Sequence, residues 1–196
     1  MSQVANSPVV FDSKDGVTAS LVQAVPYGPS DASAGSGDQK WLRVELHYTV
    51  VPKAGDFLDA VQFKIWIEGR DLQDPQGKPG VGIAVALTGA VTYVNINGSN
   101  RDNYGVFFVP PATMDRFKAG SAGASDFDQN GSFNIHAEAD VDGKPVDAID
   151  KTKGEKDITW YQTLKQVSGM VYLQYQTPFI LTDPDRYPPI KQTQTQ

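Results

Sequence analysis

The residues best placed to do chemistry are Asp126, Asp128 and Asn130, at alternate positions and followed directly by Gly131. Two carboxylates and an amide at this spacing offer hard oxygen ligands on one side of a bend. A glycine in the next position permits the sharp turn that lets them converge, as in the first half of a calcium-binding loop. The pattern then departs from such a loop. The bidentate glutamate wanted at the twelfth position is Ala137, Glu138 comes one place late, and the flanking residues alternate as strands do. Asn130-Gly131 also reads as a two-residue hairpin turn. The expectation is a protein without a cofactor, the turn reading taking precedence; calcium is the metal this stretch would suit, with Asp126, Asp128 and Asn130 as its ligands. A second acidic stretch, Asp140-Val141-Asp142-Gly143, reads as a turn.

Trp41 and Trp66 form a second constellation. Both fall on the polar face of alternating runs, where flat aromatic rings can stack on sugars. The competing reading is that another segment covers them, because large aromatic side chains are mostly buried. Catalytic signals are sparse. The two histidines, His47 and His136, sit on strand faces expected to be solvated, and G-x-S-x-G, H-E-x-x-H and phosphate-loop patterns are missing from the sequence. With no cysteine, thiol chemistry is excluded. Asp126 and Asp128, two residues apart on a turn, do not provide the separation across a cleft that glycoside hydrolysis needs. The expectation is a protein without catalytic residues.

Two runs between Gln39 and Arg70 must position everything else. In the first, Leu42, Val44, Leu46, Tyr48 and Val50 share one face, opposite Arg43, Glu45, His47 and Thr49. In the second, Val61, Phe63, Ile65 and Ile67 face away from Gln62, Lys64, Trp66 and Glu68. Such period-two alternation predicts strands with one buried face. The short break VPKAGD between them suggests a hairpin, with Glu45 opposite Lys64 and Arg43 opposite Trp66. Further strands are expected at 8–11, 17–25, 81–87, 90–96, 104–109, from Gly131 to Val141, and from Gly169 to about residue 181. Short helices are expected from Pro111 to Gly120 and around Asp157–Val167, the second on the spacing of Trp160, Leu164 and Val167. Residues 26–38 and 71–80 read as loops, as does the charged stretch 142–157.

These elements show no βαβ alternation. They predict an all-β protein, an antiparallel immunoglobulin-like β-sandwich of eight or nine strands with one or two short helices. One sandwich domain over 1–182 is expected, followed by an extended, Pro-rich and polar tail over 183–196. A chain of 196 residues can bury a core without disulfide staples. The net charge of −6 argues against nucleic acid as a partner and against adhesion to anionic lipid. No apolar run is long enough to span a bilayer as a helix. The opening residues MSQVANSPVV lack the charged and apolar regions of a signal peptide. The chain is therefore expected either to be cytoplasmic or to have lost a leader replaced by Met1, and its Ser-, Asn-, Gly- and Thr-rich composition favours the second.

Three C-terminal stretches, TWYQTL (159–164), QTPFIL (176–181) and DPDRYPPI (183–190), resemble the ends of small immunoglobulin-like envelope proteins. Those proteins come from Akkermansia-type bacteria, in gene clusters linked to type IV pilus-like assembly. The resemblance implies a periplasmic or extracellular, non-enzymatic sandwich, a structural or adhesive component whose partners are other envelope or pilus-like proteins. It transfers no site residues. The alternative function is a carbohydrate-binding module that holds glycans on Trp41 and Trp66. Pro184, Pro188 and Pro189 imply an arm that leaves the domain, of the kind that can add a strand to a neighbouring sheet edge.

Overall fold

The computed structural model describes residues 7–23, 40–51, 57–77, 82–99, 102–117, 134–152, 159–183 and 185–191. Among these, nine strands and two short α-helices follow in order. They are β1 (Val9–Phe11), β2 (Val17–Gln23), β3 (Lys40–Val50), β4 (Phe57–Asp71), β5 (Ile83–Asn97) and β6 (Asn103–Val109), then α1 (Pro111–Phe117), β7 (Ile135–Val141), β8 (Lys144–Lys151), α2 (Trp160–Thr163) and β9 (Lys165–Ser168). One sheet is built on β3, with β1 and β2 end to end along one edge and β6 along the other. The second sheet runs β8-β7-β4-β5-β9. Every pairing is antiparallel except β5–β9. The protein is an all-β immunoglobulin-like sandwich.

The two alternating runs supply the inner faces. Leu42, Val44, Leu46, Tyr48 and Val50 of β3 are at most 2% exposed, and Val61, Phe63, Ile65 and Ile67 of β4 are 0% exposed. At about 1.5–3 kcal/mol for each buried side chain, this is the central block of the core. The runs do not form the expected hairpin. Glu45 lies opposite Thr18 and Val106, and Arg43 opposite Ser20 and Phe108. Lys64 lies opposite Ala90 and Glu138, and Trp66 opposite Thr88 and His136. The physical reason is layering. A hairpin would turn both apolar faces to the same side, whereas strands in opposite sheets bury each face against the other.

Other departures have local causes. The expected strands 81–87 and 90–96 are one strand, β5, because Gly89 is no turn. A Cβ there would stand 2.8 Å from a methyl carbon of Val171, so glycine serves a close approach. The expected loop 142–157 contains β8, joined to β7 through Asp142 (φ 53°) and Gly143 (φ 73°), a primed hairpin turn. Its mixed polar sequence is that of an edge strand. The second expected helix is a single turn, since Leu164 is already extended (ψ 152°) and leads into β9. The closing strand from Gly169 does not form. Gly169 adopts φ 78°, only Tyr172 bridges to Phe108, and Gln174–Gln176 make a 3₁₀ turn just before Pro178.

Candidate functional site

Residues 185–191 turn back onto the sandwich instead of leaving it. Val94 donates its N–H to the Pro189 carbonyl at 2.8 Å, and Lys191 donates to the Thr92 carbonyl at 2.8 Å. Tyr93 and Ile190 sit opposite one another between those bonds. Because β9 covers Val85–Thr88, the C-terminal strap occupies a further stretch of the same outer edge of β5.

The strap is fastened by Glu45, a side chain on the outer face of β3 that is only 7% exposed. The Tyr187 hydroxyl donates to its Oε1 at 2.8 Å, and Arg186 Nε approaches the same oxygen at 2.9 Å. Burial, then the bond to Glu45, pushes the Tyr187 phenol above its ordinary range. The Arg186 guanidinium lies 4.2 Å from the centre of the Tyr104 ring, a cation–π contact. Tyr104 in turn stacks on its cross-strand neighbour His47, with centroids 4.8 Å apart and planes 12° from parallel. His47 Nε2 lies 3.0 Å from Asp102 Oδ1. Sequence reasoning missed this assembly. DPDRYPPI was visible as a motif, but nothing marks Glu45, 142 positions earlier, as its anchor.

Between the strap, the end of β5 and the start of β6 lies an open recess of about 480 Å³, lined among others by Asn95, Asn97, Asp102, Tyr104, Asp185 and Arg186. Asn95 is exposed and holds a left-handed backbone, φ 55°. Asn97 accepts the Ser99 N–H at 2.9 Å, which fixes the direction of its amide.

Trp41 and Trp66 stand on the outer faces of different sheets, so they make no joint platform. Trp41 meets Tyr172 and Phe179 edge-on, at centroid distances of 6.3 and 5.8 Å. Trp66 packs on Tyr161 at 4.7 Å and donates its indole N–H to Gln166 at 2.9 Å. The C-terminal third of the chain thus lies over part of each ring. Beside Trp66, His136 is 4% exposed and not solvated as expected. Its Nδ1 lies 2.8 Å from Asp150 and its Nε2 3.3 Å from Glu138, and its ring stacks on Tyr161 at 3.8 Å. The Tyr161 hydroxyl donates to Glu138 at 2.8 Å, so the cluster fastens α2 to the outer face of β7. Asp126, Asp128 and Asn130 lie outside the described residues. Among the described ones, no three histidine or carboxylate side chains are grouped to hold a metal ion. No described helix is long and apolar enough to cross a membrane.

These features define a two-sheet immunoglobulin-like domain whose C-terminal segments are bound to its outer faces and edge. A protein-family model matches residues 23–194. The chain belongs to that family, in keeping with the Akkermansia-type resemblance of its C-terminal residues. Among solved structures, the chain is similar to a protein from Akkermansia muciniphila with a TM-score of 0.67 at 19% identity, covering 98% of this chain and 100% of that one. At this identity the likeness shows the fold. A search of the curated proteins finds no match.

Proposed function

We propose that this protein is a non-enzymatic component of the cell envelope, structural or adhesive, acting outside the cytoplasm in contact with other envelope or pilus-like proteins. One observation carries the reading: the self-clasp of Glu45 on Arg186 and Tyr187, with the strap paired to β5. A domain without cysteine is here closed by hydrogen bonds, an ion pair and packing, which suits a part that must stay folded under chemical and mechanical load. The aromatic clusters support it, since Trp41 and Trp66 are both engaged in holding later segments of the same chain. Family membership and the Akkermansia-type C-terminal motif favour the same assignment.

The test is localisation in the source cell with an antibody raised against the folded domain, on intact and fractionated cells, followed by crosslinking and identification of partners. Signal in the periplasm or at the surface, with envelope proteins crosslinked, is the expected result. A purely cytoplasmic signal without such partners overturns the proposal.

A further inference from the structure

We propose that the recess between β5, β6 and the strap binds a neutral, polyhydroxylated ligand, in chemical terms a glycan. The proposal gives the adhesive form of the reading above its ligand class, and rests on it to that extent. The first reason is the inventory of groups on the wall. The Asn95 amide, the Tyr104 hydroxyl and the Asp185 carboxylate make no hydrogen bond within the described structure, and they offer both donors and acceptors. Asn97 keeps its amide N–H groups available while its oxygen holds Ser99, and Asp102 keeps one oxygen available while the other meets His47. Each sugar hydroxyl both donates and accepts, and planar amides and carboxylates can engage two adjacent hydroxyls at once.

Charge sets the class further. Among the described residues lining the recess are two carboxylates, Asp102 and Asp185, and one cation, Arg186, which is already paired with the buried Glu45. These described residues present no surplus positive charge to attract a phosphate, sulfate or acidic sugar. The wall is also pre-ordered. Tyr104 is held by His47 and Arg186, Asp102 by His47, and Asn97 by Ser99. Groups fixed in advance lose little entropy when a ligand arrives.

Asn95 supplies an independent observation. A non-glycine residue at φ 55° inside a strand carries backbone strain, and such strain concentrates at binding sites. Val94, immediately before it, is fixed by the bond to Pro189, so the strap itself sets where the Asn95 amide stands.

The experiment is calorimetric titration of the full chain with a panel of neutral oligosaccharides (chitotetraose, cellotetraose, maltotetraose and lacto-N-tetraose) and a sialylated counterpart of the last. Two variants accompany it. Asn95→Gly removes the amide while tolerating the left-handed backbone, and Tyr104→Phe removes only the hydroxyl. The expected result is saturable binding of at least one neutral member, weakened about three- to tenfold by each variant with an unchanged melting temperature. No saturable binding of any neutral member at millimolar concentration overturns the proposal. So does binding that both variants leave undiminished, or a preference for the sialylated sugar. Each of these failures leaves the envelope reading standing, whereas a cytoplasmic location with intact glycan binding would sink only the envelope reading.

Discussion

The hydroxyl of Tyr93 accepts the backbone N–H of Val106 at 2.9 Å, joining β5 of one sheet to β6 of the other through the interior. Both residues are at most 1% exposed, so neither group can turn to water instead. Tyr48, also 0% exposed, presents the opposite case: its buried hydroxyl has no hydrogen-bond partner among the described residues. The two phenols therefore make predictions of opposite sign. Tyr93→Phe strands the Val106 N–H and should cost about 1–3 kcal/mol, whereas Tyr48→Phe removes an unpaired group and should be neutral or stabilising. Urea denaturation midpoints of the two variants check this. Equal losses in both would show that ring packing, and not the hydroxyls, decides.

Gly105 makes the Tyr93 contact possible. A Cβ at that position would stand 3.0 Å from Tyr93 Cε2, and the ring is enclosed by Phe63 and its neighbours. Gly105→Ala should therefore overpack the core and cost about 1–3 kcal/mol. Gly143→Ala calibrates the result, because nothing lies within 4 Å of its would-be Cβ and only the left-handed φ of 73° opposes it. That conformational cost is about 1–2 kcal/mol. A Gly105→Ala protein that melts at the wild-type temperature would mean that the Tyr93 ring yields without penalty.

Alkaline pH should unfold the domain through the same phenols. Burial raises Tyr48, Tyr93 and Tyr187 above the ordinary value of 10.0, with the Glu45 bond adding to the rise at Tyr187. The unfolded chain releases these protons near pH 10 while the folded chain retains them. Their contribution is thus fully present below about pH 10 and is lost as the pH rises beyond it. Urea midpoints measured from neutral to strongly alkaline pH should hold level and then fall above about pH 10. Phenolate absorbance from these three residues should appear only with unfolding. Early ionisation of all eight tyrosines in a still folded protein would contradict the burial argument.

How far the sequence revealed this molecule depends on what kind of order is asked for. Alternation in β3 and β4 identified the fully inward side chains Leu42, Val44, Leu46, Tyr48, Val50, Val61, Phe63, Ile65 and Ile67 correctly, since the pleat ties face to position parity. It could not reveal which strands pair, because parity is the same for a hairpin and for two strands in opposite sheets. Gly89 misled for a related reason: a glycine that makes room for Val171 looks like a glycine that makes a turn. The recess was illegible because it joins Asn95 and Asp102 to Arg186, residues brought together only when the strap docks.

Release of the strap gives the most direct test of that docking. Glu45 holds both Arg186 and Tyr187 from a position where it is itself nearly buried, so replacing it affects two donors at once. Glu45→Ala should cost about 1–3 kcal/mol, with Arg186 free to recover water and the Tyr187 hydroxyl less so. The loss should be local before it is global. Amide exchange at Val94 and Lys191, whose N–H groups bridge strap and sheet, should accelerate strongly, while exchange at Ile65 in the middle of β4 follows only the smaller change in global stability. Exchange that quickens equally at all three positions would show that the strap and the sandwich unfold as one unit. Glu45 would then be part of the core's cooperativity and not a separate fastening.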